Sequence, residues 1–173
     1  MENTNPQIDS ALYWFSRIYL GGIPATITDD SAFLSFVCVL TAIEALAGYR
    51  YPETGGPGDR FREFVNSYFP ESYKRFAKEL WGFRTSIVHA FTTGNFALTH
   101  HHSEVHFRQT NNGLVILNAE DFYGALLSAA QVFFSEVRTS PQLQELFLKR
   151  LQSPKGGGIA VGPIQFPEPN PAS

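Results

Sequence analysis

One cysteine, Cys38, is all the chain carries, so no disulfide can form within it. Cys38 stands in the apolar run Phe36-Val37-Cys38-Val39-Leu40, where a lone thiol behaves as a small buried hydrophobe. A reducing, cytoplasmic setting is the expectation that follows. Excess positive charge is lacking too. Thirteen Lys and Arg stand against sixteen Asp and Glu, a net charge of −3, which argues against a protein that coats nucleic acid by neutralising phosphates. Residues 32–47 form the longest apolar stretch, but Ser35, Thr41 and Glu44 interrupt it, and it falls short of the roughly 20 residues of a membrane span. The opening Met1-Glu2-Asn3-Thr4-Asn5-Pro6 has no basic segment leading into an apolar one and does not read as a secretory signal. There is no glycine-rich phosphate loop ending in Lys-Ser/Thr, no Gly-x-Ser-x-Gly elbow, no pair of cysteines for zinc and no dinucleotide fingerprint. No cofactor and no membrane partner are expected.

What is present describes a folded globule. The chain of 173 residues is 43% hydrophobic and 14% aromatic, enough for one domain with a sizeable core. That domain is expected over residues 1–153. Residues 154–173, with Gly156-Gly157-Gly158 and then Pro163, Pro167, Pro169 and Pro171, read as a flexible tail too poor in apolar residues to order itself.

Helical periodicity dominates. Leu12, Phe15, Ile18 and Tyr19 mark a first helix over residues 8–20, ended by Gly21-Gly22. Asp29-Asp30-Ser31 offers an N-cap for a second helix to about residue 47, apolar nearly all round and therefore central. After the loop 51–58 a short helix covers 59–68. Pro70 then opens a longer one in which Phe76, Leu80, Phe83 and Ile87 form a core stripe ending near His89. Between residues 97 and 117 two runs rich in β-formers meet at Asn111-Asn112-Gly113, a hairpin turn signal. Helices over 122–137 and 141–151 follow. The expected fold is an all-α bundle of about five to six helices with a small β-hairpin inserted before the penultimate helix.

Two places on this scaffold carry chemistry. In Arg84-Thr85-Ser86-Ile87-Val88-His89, a fixed cation and a group that titrates near neutrality suit phosphate chemistry. Their offset puts them roughly 140° apart on a straight helix, so one isolated helix does not bring them together. Glu44 is an acid on an apolar helix and is costly there unless paired, with Arg84 as a possible partner. An ion pair fixing two central helices explains Glu44 at least as well as a direct chemical role. The second place is His100-His101-His102-Ser103-Glu104-Val105-His106. On a strand His100, His102, Glu104 and His106 would share one face and offer zinc-type ligands. Ligands spaced about 6.6 Å apart along a single strand converge poorly on an ion, and most metal sites recruit a second element. A polar hairpin face or an RNA-contacting surface is the expectation there, with no bound metal.

The stretch from Arg84 to His89 resembles the Arg-x4-His signature of HEPN domains. The resemblance extends over residues 33–137: the central helix with Ala42-Ile43-Glu44-Ala45-Leu46, a loop, Arg60-Phe61-Arg62-Glu63-Phe64, the Arg84/His89 helix and a following helix. It implies a metal-independent endoribonuclease of the toxin or phage-defence kind, acting as a homodimer whose motifs line a shared cleft. It further implies catalytic roles for Arg84 and His89 with support from Glu44, Thr85 and Ser86, and an antitoxin protein as a possible partner. Active members often carry Asn, Asp or His directly after the arginine, where this chain has Thr85. The alternative is a catalytically idle HEPN-like module that binds a nucleotide, nucleic acid or protein.

Overall fold

The computed structural model describes residues 5–153, so the Gly/Pro-rich segment 154–173 lies outside the described residues. The chain is mostly helical. Asn5 caps α1 (Pro6–Phe15) by accepting the Gln7 amide at 2.9 Å, and the last turns widen to a π-helix over Ser16–Leu20. A 3-10 turn, Ile23–Thr26, leads to α2 (Ala32–Arg50), which is 19 residues long. On length and composition α2 is apolar enough to cross a membrane, yet half of it is buried within this fold. It packs against α3 (Pro57–Tyr68), α5 (Ala77–His89), α6 (Ala119–Thr139) and α7 (Pro141–Gln152). A helix enclosed by four others has little polar face to keep, which explains why only Ser35, Thr41 and Glu44 interrupt its apolar run over residues 32–47.

The helix expected from Pro70 to His89 is two helices. A single turn, α4 (Glu71–Lys74), is separated from α5 by Arg75 and Phe76, and the Phe76 amide donates to the Tyr73 carbonyl at 2.9 Å. The break lets two rings face the β segment together. Tyr73 and Phe76 lie 4.7 and 5.2 Å from Phe107, centroid to centroid.

The β segment also departs from a simple hairpin. Strands β1 (Phe96–Thr99) and β2 (Val115–Asn118) pair in parallel, Phe96 opposite Val115 and Thr99 opposite Asn118. The turn at Asn111-Asn112-Gly113 does form, with Gly113 at φ +79° and its amide donating to the Thr110 carbonyl at 2.9 Å. It joins β2 to the short antiparallel stretch 107–110, where Phe107 donates to Ile116 and Ile116 donates to Arg108, both at 2.8 Å. β2 therefore sits between a parallel and an antiparallel neighbour. The intervening chain turns at His101 (φ +58°) and Phe107 (φ +63°), left-handed positions that a histidine tolerates better than a phenylalanine does.

One core runs from Ile8 to Phe147, and among its fully buried rings are Phe36, Phe61, Phe64, Phe83, Phe96, Phe122 and Phe133. Each such ring stabilises the fold by about 1.5–3 kcal/mol relative to exposure.

Candidate functional site

Arg84 lies on the side of α5 that faces α2. Its Nε meets the Glu44 carboxylate in an ion pair, with the two side chains 20% and 27% exposed. That Nε is itself buried and makes no aligned hydrogen bond, so the contact is electrostatic. The guanidinium lies 5.6 Å from the centroid of the Trp81 ring, within cation–π range. Trp81 in turn rests against Gly58 of α3, where an added Cβ would stand 2.7 Å from the indole Nε1. Only glycine admits this approach. Three helices thus hold one guanidinium: α2 by charge, α5 through Trp81, and α3 by the space it leaves for the indole.

The rest of the motif is placed differently. The Thr85 hydroxyl donates to the Trp81 carbonyl at 3.1 Å and is turned back along its own helix. The Ser86 carbonyl closes the helix end, accepting from Ala90 at 2.9 Å and from Thr92 at 3.3 Å. His89 is the last residue of α5, exposed, and makes no side-chain hydrogen bond or ion pair among the described residues. α5 stays α-helical to its end, so the angular offset between Arg84 and His89 persists. The residues around His89 are apolar and uncovered. Val88 is 47% exposed, Phe91 is 78% exposed with its ring tilted against Phe33 at 4.8 Å, and Leu34, next to Phe33 in the chain, is 52% exposed.

The histidine-rich segment is not a strand, and His100, His102, Glu104 and His106 do not share a face. His102 pairs with Glu104 at 3.1 Å on the surface. His106 turns inward. Its Nδ1 accepts the Asn118 amide at 3.0 Å, which places the proton of a neutral imidazole on Nε2, where it donates to the Tyr73 hydroxyl at 3.0 Å. Burial pushes the His106 pKa below its ordinary value, only partly opposed by Asp121. Fully buried Asn118 is the hub: it accepts the His102 amide at 3.1 Å and donates to Asp121 at 2.6 Å.

His100 and His101 instead meet Glu120, in the first turn of α6. His101 Nδ1 lies 2.5 Å from Glu120 Oε1, and the His101 amide donates to both Glu120 oxygens at 3.0 Å. Burial pushes the Glu120 pKa up, but these bonds and the His101 charge outweigh it and hold the carboxyl below its ordinary value. Sequence spacing does not single out Glu120 and Asn118, because both look like ordinary residues opening a helix. An acid in the first turn of a helix that follows a histidine run is the one signal that could have drawn attention to them.

Family models, curated proteins and solved structures give no match to this chain.

A cavity of about 680 Å³ lies elsewhere, between α1, α2, α6 and α7, walled by Trp14, Phe15, Tyr49, Phe134 and Phe147 with Arg150 at its edge. It contains no residue of the Arg84 to His89 motif.

Proposed function

We propose that the chain is a HEPN-like, metal-independent endoribonuclease that works as a homodimer through Arg84 and His89. The observation that carries this reading is the setting of His89. It is a free imidazole at a helix end, flanked by the uncovered apolar side chains of Val88 and Phe91. We take these uncovered side chains as the surface on which a second copy docks. A second copy docked on it brings two motif helices to one cleft and removes the difficulty of the angular offset. In that cleft one His89 takes the proton of a ribose 2′-hydroxyl as its oxygen bonds to phosphorus. The P–O5′ bond breaks, and the partner's His89 delivers a proton to the departing oxygen. Glu44 engages Arg84 through Nε, which leaves the terminal nitrogens to meet the charge that builds on the phosphate. An antitoxin protein covering the same apolar end would restrain such a nuclease.

A second reading, a catalytically idle module that uses this surface to bind a partner, is favoured by two details. The charge of Arg84 is already met by Glu44, and the Thr85 hydroxyl is engaged by Trp81 rather than His89.

The test couples association to chemistry. Light scattering should find a dimer that cleaves RNA, and Phe91→Asp should yield a folded monomer without cleavage. A wild-type monomer, or undiminished cleavage by the Phe91→Asp monomer, rejects the shared cleft. A dimer without cleavage selects the module.

A further inference from the structure

We infer that His100, His101 and Glu120 form a binding site for a transition-metal ion, with zinc as the best chemical match. One nitrogen of each imidazole and a Glu120 oxygen lie within 4.8 Å of one another. Zinc bonds of about 2.0–2.1 Å in tetrahedral geometry require ligand atoms about 3.3 Å apart. The separations present, from 2.5 Å between His101 and Glu120 up to that 4.8 Å, bracket this value, so rotation of side chains closes the set. A single strand could not supply such convergence, and the fold recruits a second element, α6, to do it.

Backbone geometry brings the two rings together. Consecutive residues of a strand point to opposite sides, but His101 adopts φ +58°, and the rings of His100 and His101 lie 4.6 Å apart. A left-handed histidine is an uncommon backbone conformation, and strain of this kind gathers at ligand sites.

The decisive detail is the pair of nitrogens on His100. Its Nδ1 is buried with no hydrogen-bond partner, whereas its Nε2 lies 3.5 Å from Asp29 Oδ1. A histidine that binds a metal through one nitrogen ordinarily offers the other to a carboxylate, which fixes ring and tautomer. Asp29, from the loop before α2, is an exposed carboxylate on that side of the ring, close enough to take up this part when an ion orients His100. His100 Nδ1, His101 Nδ1 and a Glu120 oxygen are then the ligands. Two nitrogens, one oxygen and an open fourth position suit zinc better than calcium or magnesium, which prefer all-oxygen sets. The site shares no residue with Arg84, His89 or Glu44 and stands independently of the ribonuclease reading.

The test uses the full chain without an affinity tag, stripped with EDTA, dialysed and titrated with zinc chloride by calorimetry. One zinc per chain is expected, with a rise in Tm. His101→Ala and Glu120→Gln each remove a direct ligand and should weaken binding at least as much as the roughly tenfold to hundredfold loss typical of an outer-shell partner. Asp29→Asn should fall within that range. His102→Ala should leave binding unchanged, and circular dichroism of each variant reports whether it is folded. Cobalt in place of zinc should give the intense visible bands of a tetrahedral ion, which also reads the site without any variant. Absence of stoichiometric zinc, binding undiminished in folded His101→Ala, or loss confined to His102→Ala would overturn the proposal.

Discussion

Glu44 on α2 and Arg84 on α5 form an ion pair across two helices of the core, each side chain about three-quarters or more buried. Removing the acid leaves a guanidinium largely desolvated and uncompensated. Glu44→Ala should therefore destabilise the fold by about 1–3 kcal/mol, between the value of an exposed pair and that of a fully buried one. Denaturant unfolding measures this directly, and a loss below about 0.5 kcal/mol, the range of ordinary surface changes, would show that the pair does little for stability. Glu44→Gln separates holding from chemistry. If Glu44 only positions Arg84, the RNA-cleavage rate should track the loss of stability, whereas a far larger fall in rate marks a role in proton transfer.

That contact was legible in the sequence because an acid on a helix apolar nearly all round has few ways to be accommodated. The bundle was legible for the same reason: the spacing of Phe36, Leu40 and Ile43, or of Leu80, Phe83 and Ile87, allows little but helices packed on a common core. The β segment was not. Its order depends on left-handed backbone at His101 and Phe107, which no glycine or asparagine marks in the sequence, and on pairing of β1 with a strand beyond the histidine run. Nor was the break before α5, since Phe76 fits the helical stripe as well as it fits its packing on Phe107. The meeting of His100, His101 and Glu120 follows from those turns, and so it too lay beyond sequence spacing.

His106 makes stability depend on pH. Burial disfavours the charged ring, only partly opposed by Asp121, so the folded state holds the His106 pKa below the ordinary 6.5. Between the folded value and 6.5 the unfolded chain binds more protons, and stability falls as pH falls. The contribution is complete above 6.5 and is lost on acidification toward the folded value. Unfolding free energies compared at about pH 7.5 and pH 5.5 should show a steeper loss for the wild type than for His106→Gln, which has no titrating group there. Parallel pH profiles for the two proteins would remove His106 as the cause.

If Arg84 and His89 cleave RNA without a metal, incubation of mixed RNA with the purified chain in excess EDTA should reveal it. EDTA also empties any zinc site at His100 and His101, so cleavage that survives belongs to the motif. The wild type should cleave. His89→Ala should lower the rate by about a hundredfold to ten-thousandfold, the usual loss with a positioned acid-base group. Arg84→Lys should also fail, because a point charge does not reproduce a planar guanidinium on phosphate. Circular dichroism establishes that both variants remain folded. A wild-type protein that leaves RNA intact, or a His89→Ala variant that cleaves as fast as the wild type, would contradict catalysis by this pair.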